Sequence, residues 1–200
     1  VRAALPASLR RARGVEPQPK TTAACIALAS SLLGANDPER LLVVVPADHW
    51  IPNAAAFRAS VRAAIEAAWE SRRLVVIGLR ASRAEPGLGH VCAGTRWGHR
   101  RGLPVFHLAR FVEKPSRAAA KRLFAQGRVL WNVGVFVGTA ETFQEAIARH
   151  LPQHARRLAG LGARGAGARA AGVWRRAYAG LRAVSFDQGV MDHLRDARLV

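Results

Sequence analysis

The sequence predicts an α/β domain with helices on both faces of a mostly parallel sheet, and two observations carry that expectation. The first is Leu41-Leu42-Val43-Val44-Val45, an apolar run rich in β-branched residues that stops abruptly at Pro46-Ala47-Asp48-His49. A continuous apolar run of this length suits a strand covered on both faces. The second is helical spacing through Phe57, Val61, Ile65 and Ala68, succeeded by another apolar run from Leu74 to Leu79. A strand–helix–strand order of this size argues for parallel neighbours in a doubly wound sheet. Such sheets bind ligands beyond the carboxyl ends of their strands. That makes Asp48 the first residue to examine for chemistry.

The remaining elements read in chain order. An Ala/Leu/Ile-rich run from Thr22 to Leu33, starting at Thr21 or Thr22 and stopped by Gly34, is a buried helix. After the Leu41–Val45 strand, Asn53 caps a helix to about Arg72. Glu85-Pro86-Gly87-Leu88-Gly89-His90-Val91 is a loop running into a strand, and Arg96 to Gly102 reads as a polar turn. Val105 to Val112 is a strand that Pro115 terminates. Ser116 caps a helix to about Gln126, Leu130 to Val137 is strand-like, and Thr139 opens an amphipathic helix with Glu141 in its first turn. Gly160 to Gly172, built of Gly, Ala and Arg, is expected to be a mobile loop. Val173 to Leu181 then reads as a short helix, Ala183 to Phe186 as a strand, and Asp187 to Leu194 as a closing helix. No internal repeat interrupts this order, so residues 1–200 are read as one domain.

Composition narrows the function classes. No apolar run approaches the ~18 residues of a membrane span, and the first residues lack the apolar core of a signal peptide. Cys25 and Cys92 lie in apolar surroundings with no metal-ligand spacing, and read as buried thiols of a cytoplasmic protein. The net charge of +18 invites a nucleic-acid reading. Against it, all basic residues but Lys20, Lys114 and Lys121 are arginines, scattered in short pairs without interleaved aromatics. A solvated basic surface that attracts nucleotide and sugar-phosphate anions is the better reading.

Six segments carry residues with chemistry. Asp48 and Asp187, each at the end of an expected strand, would together make a hard-oxygen site for Mg²⁺. Read individually, they are equally a turn residue and a helix N-cap. Glu113-Lys114-Pro115 sets an acceptor for sugar hydroxyls beside a cation for a phosphate, or is an ordinary surface pair. Asn132, in Trp131-Asn132-x-Gly134, puts an amide into an apolar strand, where it either meets sugar hydroxyls or bonds the backbone of a bulge. Gly87 and Gly89 allow close backbone approach to a sugar. Glu16, in Glu16-Pro17-Gln18-Pro19-Lys20, could accept from the N1–H and N2–H₂ of guanine, or lie on a solvated loop.

In order and spacing, Glu16-Pro17-x-Pro19-Lys20-x-Thr22-Ala23, Pro46-Ala47-Asp48-His49 and Gly87-x-Gly89-His90-Val91 are followed by Phe111-x-Glu113-Lys114-Pro115, Trp131-Asn132-x-Gly134-x-Phe136 and Ser185-Phe186-Asp187-x-Gly189-Val190-Met191-Asp192. This series resembles the mannose-1-phosphate guanylyltransferase branch of the sugar-phosphate nucleotidyltransferases. The resemblance implies a three-layer α/β/α, Rossmann-like nucleotide-diphospho-sugar transferase fold. It implies Mg²⁺ held by Asp48 and Asp187, with Gly89, Glu113 and Asn132 at the mannose, Lys114 at the sugar phosphate, and Glu16 facing guanine. It also implies a reaction in which GTP and mannose 1-phosphate give GDP-mannose and pyrophosphate.

The sequence departs from that pattern in places. The family's Gly-Gly-x-Gly-x-Arg loop, which cradles the triphosphate, does not occur among these residues. The chain therefore reads as a piece incomplete at its N-terminus, with impaired turnover. Thr21 stands where Asn is usual, Leu88 and His90 where tyrosines are common, and Val133 where a small polar residue is usual. Rival readings are a transferase for another nucleotide or sugar phosphate, a non-catalytic or regulatory homologue that binds nucleotide sugar, and a nucleic-acid binder, in that order. A homo-oligomer is left open.

Overall fold

The computed structural model describes residues 16–161 and 168–200. Within them, six strands and seven α-helices alternate: α1 (Thr21–Leu33), β1 (Leu41–Val44), α2 (Ala54–Ser71), β2 (Val75–Arg80), β3 (His90–Arg100) and β4 (Leu103–Val112), followed by α3 (Arg117–Ala125), β5 (Val129–Thr139), α4 (Ala140–His150), α5 (Pro152–Leu158), α6 (Ala168–Ala179), α7 (Phe186–Gly189) and β6 (Arg198–Leu199). A single 3₁₀ turn, Met191–His193, follows α7.

Side-chain alternation along the strands creates two cores, one on each face of the sheet. Val76 and Phe136 point into the larger core, which α1, α4, α5 and the Phe186 segment complete. Their neighbours Val75, Ile77, Val135 and Val137 point the other way, against Ala64, Ala67 and Ala68 of α2. Small residues on that face of α2 let the helix lie close to the sheet. The expected three-layer α/β/α arrangement follows.

The sheet itself differs from the mostly parallel one expected. Its order is β1-β5-β2-β6-β4-β3, with a further pairing of β3 to β5. Among the described residues, β2 with β6 is parallel and the other pairings are antiparallel. The strand–helix–strand unit does send β1 and β2 in the same direction. They are not neighbours, because β5 inserts between them, antiparallel to both.

Local signals are sound where a cap or stop defines the boundary. Asn53 accepts from the Ala56 N–H at 2.9 Å, Ser116 from Ala119 and Thr139 from Thr142, each starting the helix expected there. Three expectations fail. Residues 96–100 continue β3 and leave only a tight turn at Arg101-Gly102, both at positive φ. Residues 183–185 are extended but unpaired, because Ala23 N–H bonds to Val184 O and draws this segment onto α1. The closing helix is broken at Val190 into α7 and the 3₁₀ turn. The expected loop over Gly160 to Gly172 falls partly outside the described residues, and its last part belongs to α6. Cys25 is exposed rather than buried.

Candidate functional site

The sheet opens beside β5. Along one edge of that strand, β1 pairs with residues 136–139 and β3 pairs with residues 129–131. Between them, Asn132–Val135 has no ladder partner on that edge. A gap where neighbouring strands diverge is where α/β sheets place ligands. β1 leaves the gap through Pro46 and Asp48, and β3 enters it from Gly89.

On the other edge, the register with β2 slips between Val76↔Phe136 and Gly78↔Asn132, so β5 carries two extra residues there. Gly134 takes φ +63° in this bulge, a conformation that favours glycine. Its N–H donates to Asn132 Oδ1 at 2.9 Å. Asn132 therefore is the backbone-bonded amide of a bulge. It also has a second role, donating from Nδ2 to Asp187 Oδ1 at 2.6 Å. Its own N–H donates to Gly89 O at 2.8 Å, which ties the strand before the bulge to the glycine loop.

Asp187 is held from behind. Ser185 caps α7 by accepting from Gln188 N–H, and Phe186 N–H donates to Thr22 Oγ1 at 2.8 Å. The fully buried Phe186 ring packs 5.2 Å from Phe136 and 5.7 Å from Phe143, between the sheet and α4. These contacts fix the helix turn, so the adjacent carboxylate must face the gap. Desolvation raises its pKa first, with Asp192 adding to the rise while its own backbone N–H, Asn132 and Lys114 oppose it.

Glu113 approaches from β4. Its Oε2 lies 2.6 Å from where a Gly89 Cβ would be, and Asn132 Cβ is 3.1 Å from the same point, so a side chain there would displace the Glu113 carboxylate. Burial pushes Glu113 above the usual carboxylate range, with Asp187 and Asp192 adding to the rise and Lys114 opposing it. Lys114 takes φ +41°, and its exposed Nζ stands 4.0 Å from Glu113 Oε1. Glu113 N–H donates to Asp192 Oδ1 at 2.9 Å. Sequence reasoning includes Asp192 in a motif but gives it no role; the structure makes it the support of the Glu113-Lys114 turn. Its signal is a second acid five residues after Asp187.

Asp48 is exposed, four residues past the end of β1. The β1–β5 register continues far enough to set Pro46 Cγ 3.2 Å from the position of a Gly134 Cβ. That brings the Asp48 loop to the bulge, at the rim of the gap. Among the described residues no cluster of three or more metal-ligating side chains occurs. What the gap offers a cation is Asp187, whose carboxylate is partly desolvated near two other acids. Hard carboxylate oxygens in that setting fit Mg²⁺, which takes one or two carboxylates and keeps its remaining ligands as water or phosphate.

Glu16 is elsewhere. Its Oε1 lies 3.2 Å from the Tyr178 hydroxyl of α6, which is also 3.2 Å from Ala24 O. Burial, with Glu16 reinforcing it, raises the Tyr178 pKa and pushes the neighbouring Cys25 thiol up to about 11. The structure thus brings together Gly89, Glu113, Lys114, Asn132 and Asp187, sets Asp48 at the rim, and ties Glu16 to α1 and α6.

Residues 7–167 match the nucleotidyl transferase family. The chain belongs to that family. It is 35% identical over 140 residues to the mannose-1-phosphate guanylyltransferase of Escherichia coli K12, covering 69% of this chain and 29% of that protein. It is 36% identical over 138 residues to the xanthan biosynthesis protein XanB of Xanthomonas campestris, covering 69% of this chain and 28% of that one. Across its fold this nucleotidyl transferase chain superimposes with a TM-score of 0.80 on the crystal structure described as mannose-1-phosphate geranyltransferase from Thermus thermophilus. That match is 34% identical and covers 94% of this chain and 51% of the other. The chain therefore spans under a third of the length of these curated relatives and about half of the Thermus chain. Among the described residues no helix is long and apolar enough to cross a membrane.

Proposed function

We propose that these residues belong to an enzyme that transfers a guanylyl group from GTP to mannose 1-phosphate, giving GDP-mannose and pyrophosphate. The observation that carries this reading is the Asn132–Asp187 bond at the gap beside β5, because it draws a carboxylate and an amide from distant segments into one opening lined by Gly89 and Glu113. Family membership supports the reaction class, and the relatives named above support the sugar.

In this reading Glu113 accepts from sugar hydroxyls, Asn132 orients both Asp187 and the sugar, and the exposed Lys114 ammonium pairs with the sugar phosphate. Asp48 and Asp187 would hold Mg²⁺, which when bound neutralises charge on the α-phosphate. An oxygen of the sugar phosphate then bonds to the α-phosphorus as the bond to the β-phosphate breaks and pyrophosphate leaves. Glu16, whose Oε1 already accepts from Tyr178, would accept from guanine through its remaining oxygen. In this reading the protein is cytoplasmic, in keeping with its free thiols at Cys25 and Cys92.

The 200 residues contain no Gly-Gly-x-Gly-x-Arg segment, so we expect turnover by this chain alone to fall below the ~1–10³ s⁻¹ of ordinary enzymes. The test is calorimetric binding of GDP-mannose with and without Mg²⁺, against UDP-glucose and ADP-glucose, together with pyrophosphate release from GTP and mannose 1-phosphate. Mg²⁺-dependent preference for GDP-mannose supports the assignment. Preference for another nucleotide sugar moves the protein to that substrate, and tight binding that survives Asp48→Ala and Asp187→Ala makes it a non-catalytic binder.

A further inference from the structure

Away from this gap, the β3–β4 hairpin and the α3–β5 turn enclose a cleft of about 870 Å³. It shares no residue with the site described above. Three arginines from three different elements line it: Arg80 at the end of β2, Arg96 in β3 and Arg128 just before β5. No acid lines it. All 13 Asp and Glu residues of the chain lie among the described residues, and none pairs with these three arginines. Elsewhere exposed arginines do find acids, as Arg72 finds Glu39 and Arg101 finds Glu66.

The shape has local causes. The β3–β4 register slips twice between Ala93 and Gly98, which bends the hairpin over the cleft. Gly94 permits the close approach, since a Cβ there would stand 3.0 Å from His107 O. Phe106 and Phe124 give the cleft flat apolar walls, with the Phe124 ring 37% exposed and the Arg96 guanidinium 5.9 Å from the Phe106 ring centre.

We propose that this cleft is a second ligand site, for a small phosphorylated molecule bearing a flat ring, of the nucleotide class. Three guanidiniums lining one cleft with no acid in its walls match phosphate oxygens, which they can bind in bidentate fashion. The exposed Phe124 ring offers a stacking surface. The volume falls in the ~300–1,000 Å³ range of small-molecule pockets. A polynucleotide needs an extended basic groove, and this cleft is bounded by the hairpin on one side and α3 on the other.

The probe is ATP carrying a fluorescent methylanthraniloyl group, titrated into the 200-residue chain without Mg²⁺ at roughly 0.3 M NaCl, where diffuse attraction to the net positive surface is screened. Three variants are compared: Arg80→Gln/Arg96→Gln/Arg128→Gln, the charge-matched Arg58→Gln/Arg62→Gln/Arg175→Gln, and Lys114→Ala. We expect the cleft variant to bind about tenfold more weakly or worse, with the charge-matched variant binding as the parent chain does. Circular dichroism confirms that each variant is folded. The proposal fails if the cleft variant binds like the parent, if the charge-matched variant loses as much, or if Lys114→Ala abolishes binding. It fails also if a single-stranded 20-mer displaces the probe more tightly than ATP does, which would make the cleft part of a nucleic-acid surface. None of these outcomes depends on transfer activity, so the proposal stands or falls separately from the assigned reaction.

Discussion

The carboxylates gathered at the gap and the carboxylate assigned to the base, Glu16, are the same kind of group but differ in what already engages them. On the sugar side, Asn132 and Asp192 use their hydrogen bonds to hold Asp187 and Glu113 toward the opening. The two carboxylates are held near one another at the cost of raised pKa values. On the base side, the Glu16 carboxylate is bonded inward to Tyr178, beside the Cys25 thiol. The gap carboxylates are directed at the opening, whereas Glu16 Oε1 is already engaged by Tyr178.

The largest effect should come from removing the charge at the poised side. Asp187→Asn keeps an Oδ1 that can accept from Asn132, but loses the charge that would hold Mg²⁺. Mg²⁺-dependent GDP-mannose affinity should fall by about a hundredfold. The metal-free chain should respond oppositely. A carboxylate whose folded pKa lies above its unfolded value binds protons more readily in the folded state. Its contribution to stability therefore falls as pH rises from the unfolded value through the folded one. Asp187→Asn removes that penalty, so its melting temperature at pH 7 should exceed that of the parent. A variant that loses affinity and stability together would mean Asp187 is structural.

Asp192→Ala should come next. It strips the acceptor from Glu113 N–H, leaving the Glu113-Lys114 turn, with Lys114 at positive φ, without its support. We expect roughly 10–100-fold weaker GDP-mannose binding, the range typical of supporting partners around a site. Asp192→Asn, which retains a carbonyl acceptor, should recover most of it. Equal losses in both variants would show that charge, rather than the hydrogen bond, matters at Asp192.

Gly89→Ala tests how closely the sugar side is packed. The added methyl would press on Glu113 Oε2, the mobile end of a side chain, and on Asn132 Cβ. A loss of ~10-fold or more in GDP-mannose affinity is expected, in line with the cost of one misplaced methylene in a pocket. Unchanged affinity would remove Glu113 from the sugar site.

The base side is probed through Cys25. Although exposed, its thiol titrates well above neutral pH, chiefly through desolvation and then through Glu16. Glu16→Gln removes the charge, lowers the thiol pKa and should speed alkylation by iodoacetamide at pH 8 several-fold, because the thiolate is the reacting form. An unchanged rate would show that Glu16 does not lie against Tyr178 and Cys25 in solution.

These two regions also separate what the sequence makes legible from what it does not. The caps at Asn53, Ser116 and Thr139 and the apolar runs are readable because each is a local signal acting within four residues. So is the grouping of Gly89, Glu113, Asn132 and Asp187, which rests on motif order. Strand neighbours are not, since inserting β5 between β1 and β2 depends on pairs 92–98 residues apart with β1 and 50–62 apart with β2. Nor is the engagement of Glu16, because its partner Tyr178 lies 162 residues away. The cleft arginines, spread over Arg80, Arg96 and Arg128, are hidden for the same reason.

The smallest effect sharpens the comparison at the start of α1. Thr21 takes φ +61°, a left-handed conformation that crowds a β-branched side chain, and its hydroxyl turns back to Lys20 O at 2.6 Å. The left-handed region costs an ordinary L-residue about 1–2 kcal/mol, and Asn relieves part of that by bonding locally. Thr21→Asn should therefore stabilise the chain by up to about 1 kcal/mol, read as a shift in urea midpoint with an unchanged slope. Thr22, whose hydroxyl anchors Phe186, is left intact by the change. Any gain in GDP-mannose affinity that accompanies the gain in stability would locate the strain within the base side of the site. A gain in stability alone would confine it to the helix start, leaving the inward Glu16 bond as the feature that sets the base side apart.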